Sequence, residues 1–170
     1  DARRRGRGGL PVFARQDERA LRADLTEFLI ADTELRRETG AVPERFEEPM
    51  SAEGPGGQRF HGYIDRIDRD PVTGALTILD YKTGRRPEDA ADDSLGGGTR
   101  LQLPVYLLAA GGAPATAAYW YISARGGFTR TSYVSTPEAD ARFAATLTAV
   151  ADAVLDALAK AGIADAPETS

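Results

Sequence analysis

Hydrophobic and polar positions alternate most regularly in the middle of the chain, in two segments separated by a turn. Segments 59–69 and 75–82 carry β-branched and aromatic residues at a period of two, which predicts two β-strands. Segment 70–74 between them contains Asp, Pro, Thr and Gly, the residue types that favour a turn. The pattern therefore predicts a β-hairpin at the centre of the fold.

Helical periodicity lies on both sides of this hairpin. A first helix is predicted over 15–37, with an apolar stripe that consists of Leu21, Leu25, Phe28, Leu29 and Leu35. A short helix over 100–111 has to begin close to Leu101, because Pro104 is tolerated only in a first turn. A long helix is predicted from Thr136, its N-cap, to Ala161, with a buried stripe that consists of Val150, Val154, Leu155 and Leu158.

The remaining segments complete an α/β fold with a mixed central sheet and flanking helices. Further strands are predicted over 44–50, 115–123 and 128–135, and residues 119–121 (Tyr-Trp-Tyr) are expected in the core. Residues 51–58 and the acidic stretch 89–98 are predicted loops, the second of them mobile and close to the site. We expect a flexible lead-in over 1–14, one domain over 15–163 and a frayed tail over 164–170.

Composition excludes several kinds of site. The chain has 170 residues, no cysteine and one histidine, so it cannot form a disulfide, a thiolate zinc site, a cysteine-ligated iron–sulfur cluster or a multi-histidine metal centre. A net charge of −5 is not typical of a protein that holds nucleic acid by bulk charge. No apolar run is long enough for a membrane span and no signal peptide is visible, so we expect a cytoplasmic protein.

Polar side chains interrupt the apolar pattern at the hairpin. Asp65 lies within the first strand, and the period of two places Asp80 and Lys82 on one face of the second. Gln102 and Tyr106 are four residues apart and so share a helix face. Two carboxylates and a lysine that converge are costly to bury unless a cation and water lie between them. The pattern favours a metal-dependent phosphodiesterase site, although Asp80 and Lys82 as a plain surface ion pair remain an alternative.

Three sequence blocks resemble a known nuclease family. Segments 62–68 (GYIDRID), 78–84 (ILDYKTG) and 102–106 (QLPVY) are similar, in order and spacing, to the RecB-like branch of the PD-(D/E)XK nuclease superfamily. The resemblance covers about 45–108. It implies a restriction-endonuclease-like core and cleavage of DNA phosphodiester bonds with Mg²⁺, for which Mn²⁺ can substitute.

The resemblance also implies roles for single residues. Asp65 and Asp80 correspond to the acids that hold the metal ion, and the backbone carbonyl of Tyr81 often completes the protein ligands. Lys82 corresponds to the lysine that positions a water molecule and stabilises negative charge. A glutamate often present on the preceding strand corresponds to Glu47.

The resemblance is less specific at the remaining positions. Glu48 is the alternative to Glu47. Gln102 and Tyr106 resemble the family's Q-x-x-x-Y helix, which supports the site and contacts DNA, and they are counted here with the catalytic set. Asp68 is interpreted as an exposed strand acid paired with Arg66.

Arginines flank the proposed site. Arg85, Arg86 and Arg100 are predicted to contact DNA phosphates, with ordinary solvated loop charges as the alternative for each. The family's early helix with a metal-facing histidine has no counterpart in this sequence, and His61 is interpreted as an ordinary strand residue.

The resemblance implies a nuclease module of a larger DNA repair or recombination helicase–nuclease. We expect an exonuclease rather than an endonuclease. The expected partners are DNA and helicase domains or subunits of a parent protein. The alternative is a catalytically inactive nuclease-fold domain that binds DNA or a partner protein.

Overall fold

A computed structural model describes residues 11–88, 95 and 100–161, with the backbone alone over 11–17. Its elements are, in chain order, α1 (Pro11–Thr39), β1 (Val42–Glu53), β2 (Arg59–Arg69), β3 (Leu76–Lys82), α2 (Gln102–Ala109), β4 (Ala115–Tyr121), β5 (Arg130–Tyr133) and α3 (Pro137–Lys160). All eight were predicted, and the main differences are that α1 begins earlier and that β1 extends through the start of a predicted loop. The predicted lead-in up to residue 10, the loop over 89–98 apart from Leu95, and the tail lie outside the described residues.

The five strands form one sheet in the order β1-β2-β3-β4-β5. The β3–β4 pair is parallel and the other three pairs are antiparallel, so the sheet is mixed. The chain passes through α2 between the two parallel strands, as a parallel pair requires a crossover. A mixed sheet flanked by helices confirms the predicted α/β fold class.

Local chemistry places the central hairpin and the last helix. Asp70 accepts hydrogen bonds from the Thr73 hydroxyl (2.8 Å) and from the backbone N–H groups of Val72 and Thr73, and these bonds hold its pKa below the usual value. Gly74 closes this turn with a φ of 74°, a conformation that glycine adopts without strain. Thr136 accepts a hydrogen bond from the N–H of Ala139, which confirms the predicted N-cap of α3.

The sheet has a hydrophobic core on each face. The core on the side of α2 and α3 includes Ile78, Tyr119, Tyr121, Phe143 and Leu147. The core on the side of α1 includes Phe28, Leu35, Leu79, Ala118 and Trp120. Trp120 is fully buried and meets the ring of Phe28 edge-on at 5.0 Å between centroids. The prediction that residues 119–121 are core is confirmed.

Two predicted helix stripes differ from the structure. In α3 the predicted buried residues Val150, Val154, Leu155 and Leu158 are exposed, and Phe143 and Leu147 are buried instead. In α1 the side chains of Leu21, Leu25 and Leu29 are exposed, while Phe28 and Leu35 pack on the sheet. A 29-residue helix is about 44 Å long, whereas a seven-residue strand spans only about 23 Å. Helices of this length therefore extend past the shorter strands, so part of each apolar stripe lies beyond the core that the described residues form.

No helix within the described part of the chain is both long and apolar enough to cross a membrane.

Candidate active site

The site is located where β2 and β3 stop pairing. The ladder between them ends at Arg66 and Leu79, which places Asp65 level with Asp80 one position further along. Asp65 Oδ2 accepts a hydrogen bond of 2.6 Å from the N–H of Tyr81. The carboxylate of Asp65 thus accepts the hydrogen bond that a backbone carbonyl of β2 would accept if the ladder continued. The two predicted metal-binding acids lie side by side.

Helix α2 packs over this end of β3 and supplies two polar side chains to the site. Tyr106 lies with its hydroxyl 3.0 Å from Asp80 Oδ1 and 3.1 Å from the backbone oxygen of Tyr63. Gln102 accepts a hydrogen bond from Lys82 Nζ (2.9 Å) and donates one from Nε2 to the Tyr106 hydroxyl (3.2 Å). A hydroxyl has a single proton, so Tyr106 donates to Asp80 or to Tyr63 but not to both at once. The structure therefore brings Asp80, Lys82, Gln102 and Tyr106 into one network.

Asp80 is the electrostatic centre of this network. Asp80 is 4% exposed, and its buried Oδ2 forms an ion pair with Lys82 Nζ at 2.5 Å. Lys82 also lies over the ring of Tyr119 at 4.9 Å from the centroid. The structure thus confines a carboxylate and its ammonium partner at the edge of the core.

Two tyrosines beside the site have raised pKa values, in part because of the negative charge of its carboxylates. Burial, followed by the charge of Asp80, raises the pKa of Tyr119 to about 12. Burial also raises the pKa of Tyr106, with further contributions from Asp80 and from Asp65. Both carboxylates therefore act on the one hydroxyl of Tyr106, which agrees with their position on adjacent strands.

An open cleft of about 430 Å³ begins beside the network. Lys82, Gln102, Arg85 and Arg100 are among its lining residues, so two of the three predicted DNA-binding arginines lie at the site. Arg86 does not line this cleft, because its Nε donates a hydrogen bond of 3.0 Å to Thr131 on β5. Arg86 thus lies apart from Arg85 and Arg100, and its contact with DNA stays a prediction.

The remaining predicted positions lie on the β1–β2 pair, whose register places Glu47 opposite Asp65. Glu47 is exposed and lies on β1 between the residues that pair with Arg66 and Ile64 of β2. Its φ of 48° is unusual for a residue with a side chain. Its carboxylate makes no hydrogen bond or ion pair with any residue that the structure describes. Its alternative, Glu48, instead pairs with Arg45 at 3.1 Å. His61 is an exposed residue of β2, as predicted.

Divalent metal ions differ in the number of protein ligands that they need. Within residues 18–88, 95 and 100–161 no group of three or more His, Cys, Asp or Glu side chains is placed to hold a metal. Mg²⁺ needs fewer protein ligands, since it binds through one or two carboxylates and keeps several waters. Asp80 and Asp65 offer two neighbouring carboxylates, and Lys82 balances only one of their charges. This donor set fits Mg²⁺.

The backbone of Tyr81 belongs to the same edge. Its N–H is bound by Asp65, and in a strand the N–H and C=O of one residue point towards the same neighbouring strand. The Tyr81 carbonyl therefore faces β2, the strand that carries Asp65.

Sequence reasoning missed a buried ionic cluster on the opposite face of the sheet. Arg66 binds both oxygens of Asp68, at 2.5 and 2.7 Å, and also binds Asp32 of α1 (2.5 Å) and the Tyr81 hydroxyl (3.3 Å). The predicted pairing of Asp68 with Arg66 is present, but the expected exposure is wrong, because Asp68 is 1% exposed.

Helical spacing contained a signal for this cluster. Asp32 follows Phe28 by four residues and precedes Leu35 by three, so it shares their buried face of α1. Burial opposes the charge on Arg66, but the hydrogen bonds to Asp68, Asp32 and Tyr81 outweigh it and raise the arginine pKa.

Comparison with known proteins gives one family. No curated protein sequence matches the chain. The family model of the PD-(D/E)XK nuclease superfamily matches residues 2–169, nearly the whole chain. This match and the mixed sheet confirm the predicted restriction-endonuclease-like fold. The chain therefore belongs to the PD-(D/E)XK nuclease superfamily.

Proposed function

We propose that the chain is a Mg²⁺-dependent deoxyribonuclease domain of the RecB-like branch, in which Mn²⁺ can replace Mg²⁺. The observation that carries the proposal is the convergence of the buried Asp80, its ion-pair partner Lys82 and the neighbouring acid Asp65 at the end of the β2–β3 ladder. Two carboxylates lie side by side here and Lys82 balances only one of their charges, so a divalent cation would offset the remaining negative charge. We further propose an exonuclease, the nuclease module of a larger DNA repair or recombination helicase–nuclease.

The residues of the site have distinct tasks in this proposal. Asp65, Asp80 and the carbonyl of Tyr81 would hold the metal ion, which polarises the scissile phosphate and lowers the pKa of a water molecule when bound. Lys82 supplies a positive charge for the charge that develops on the phosphate. Gln102 orients the ammonium group of Lys82 through its hydrogen bond of 2.9 Å.

The surroundings of the site support substrate binding. Tyr106 restrains the carboxylate of Asp80, and its raised pKa keeps its hydroxyl protonated as a donor. Arg85 and Arg100 line the cleft next to Lys82, which suits contacts with DNA phosphates on either side of the scissile bond. The assignment to the RecB-like branch is supported by the order and spacing of the three sequence blocks.

A second candidate is a nuclease-fold domain without activity that binds DNA or a protein partner. It is favoured by the lack of a third metal-binding side chain in the described part of the site and by the exposed position of His61 in β2. Salt-sensitive DNA binding without cleavage in any divalent metal would select this candidate.

Cleavage assays separate the two candidates. Linear single-stranded, linear duplex and covalently closed circular DNA would be incubated with the protein in Mg²⁺, in Mn²⁺ and in EDTA. We expect metal-dependent cleavage of the linear DNA, with the circle intact. Asp80→Asn and Lys82→Met should each lower kcat by about 10²–10³-fold, while Asp152→Asn, an exposed change on α3, should have no effect. Absence of cleavage in every metal would refute nuclease activity.

Calorimetry provides a readout that does not depend on turnover. The wild-type protein should bind Mg²⁺ or Mn²⁺ at one or more sites, and Asp65→Ala should weaken that binding. Equal metal affinity in the two proteins would contradict the assignment of Asp65 as a ligand.

A further inference from the structure

Tyr81 lies between Asp80 and Lys82 in sequence, but its side chain belongs to the opposite face of the sheet. The period of two in β3 directs it into the core on the side of α1. There its ring meets the ring of Phe28 edge-on at 5.4 Å between centroids and lies 6.2 Å from the ring of Trp120. The side chain of Tyr81 is therefore packed in the α1 core, while its backbone belongs to the candidate active site.

A hydrogen bond links this side chain to the buried ionic cluster. The Tyr81 hydroxyl accepts it from the guanidinium group of Arg66 at 3.3 Å. The guanidinium group is itself restrained, because it donates to both oxygens of Asp68 and to Asp32 of α1, and its side chain is only 3% exposed. The Tyr81 hydroxyl is thus bound to a group that β2 and α1 together hold in place.

This bond spans the sheet where the backbone ladder between β2 and β3 has ended. The last paired residues of that ladder are Arg66 and Leu79, whereas β3 stays paired with β4 as far as Lys82. Beyond the end of the ladder, two hydrogen bonds of Tyr81 join it to β2. Its hydroxyl accepts from Arg66, and its N–H donates to Asp65. The side chain of Tyr81 therefore bridges the open junction that carries the proposed metal ligands.

We propose that Tyr81 is a positioning residue, which sets the spacing between Asp65 and Asp80 through the bond of its hydroxyl to β2. The proposal rests on the nuclease function proposed above and adds a side chain that acts from the opposite face of the sheet. Arg66 directly follows Asp65, and Tyr81 directly follows the other acid, so a bond between these two residues restrains both carboxylates. Mg²⁺ demands near-ideal octahedral geometry, and groups that orient metal ligands are worth about 10- to 100-fold in metal affinity.

Removal of one hydroxyl tests the proposal in the whole chain. Tyr81→Phe keeps the ring in the α1 core but loses the bond to Arg66. Calorimetry should show that this variant binds Mn²⁺ about 10-fold more weakly than the wild type. The matched control is Tyr133→Phe, which removes a hydroxyl that bonds a carboxylate, Asp140 of α3, at 3.4 Å. This control should leave the Mn²⁺ affinity unchanged. In cleavage assays a higher Mn²⁺ concentration should restore kcat of Tyr81→Phe, because the affinity for the metal is what the variant loses.

A second readout needs no metal ion. The N–H of residue 81, which donates to Asp65, should be protected from hydrogen exchange in the wild type in EDTA. It should exchange several-fold faster in Tyr81→Phe, because β2 is then less firmly held beside β3. The N–H of Ile78, which lies within the paired part of both strands, should exchange at the same rate in the two proteins.

Each outcome decides the proposal. Unchanged exchange at residue 81 would overturn it, and so would faster exchange with an unchanged Mn²⁺ affinity. An equal loss of affinity in Tyr133→Phe would also overturn it, because that result indicates a general loss of stability. If the wild type binds no metal, the proposed nuclease function fails, and the exchange rate at residue 81 then decides by itself whether the Tyr81 hydroxyl holds Asp65 in place.

Discussion

Replacement of Arg66 by Met should be among the most destabilising single changes in this chain. The guanidinium group makes four hydrogen bonds, two of them to Asp68 and one each to Asp32 and Tyr81. Met preserves most of the apolar stem but removes the positive charge, which leaves the buried Asp68 without a charged partner and Asp32 with Arg36 alone (3.0 Å). Removal of one member of a buried ion pair costs about 3–5 kcal/mol. That is a large part of the roughly 5–15 kcal/mol by which a domain is stable.

Urea denaturation followed by circular dichroism measures this loss. The midpoint should fall for Arg66→Met with an unchanged m-value. The matched control is Arg22→Met, which removes an arginine from an exposed pair with Glu18 in α1 and should cost only about 0.3–0.5 kcal/mol. Both substitutions introduce the same side chain, so their difference reports the burial of the charges.

A triple variant tests the physical reason. In Asp32→Leu/Arg66→Met/Asp68→Leu no buried charge of the cluster remains, so much of the stability lost in the single variant should return. If Arg66→Met costs no more than Arg22→Met, or if the triple variant is far less stable than the single one, the argument from the unpaired carboxylate of Asp68 is refuted.

Three further predictions concern stability. Gly126→Ala should destabilise the β4–β5 connection, because a Cβ there would lie 2.4 Å from the Cβ of Tyr121. The control is Gly62→Ala, where an added Cβ would have no atom within 4 Å and the change should be nearly neutral. Equal denaturation midpoints of the two variants would contradict this prediction. Thr136→Ala should cost about 0.5–2 kcal/mol through loss of the α3 N-cap, and Thr136→Ser should restore most of it in the same assay. The free energy of unfolding should fall as the pH rises above 10, because burial raises the pKa of Tyr119 to about 12 and the unfolded chain ionises this tyrosine first. Tyr119→Phe should make this fall shallower, and an equal slope in both proteins would contradict the assignment.

Local patterns sufficed for the centre of the fold. The alternation in β2 and the turn residues after it predicted both strands of the hairpin to within one residue. The cap at Thr136 and the early proline in α2 predicted the starts of two helices. These features depend on neighbours in sequence, so a single sequence contains them.

The burial of helix residues was predicted less well, because it depends on how far the sheet extends beneath the helix. Apolar spacing identifies the face of α3 that would be buried if the sheet extended beneath it. In the structure Phe143 and Leu147 reach the core, while Leu155 lies beyond the sheet and is exposed. The extent of a sheet under a helix is set by how five strands align, which no pattern within the helix records.

The amino-acid sequence by itself determined the order of the elements, the placement of Asp80 and Lys82 on one face of β3, and the three blocks that mark the nuclease superfamily. Only the tertiary structure decided that Asp80 is buried beside Lys82 and that Arg66 binds both Asp68 and Asp32, which precedes it by 34 positions. The reason is physical: periodicity and caps act over a few residues, whereas the burial of a charge depends on which distant elements pack against it.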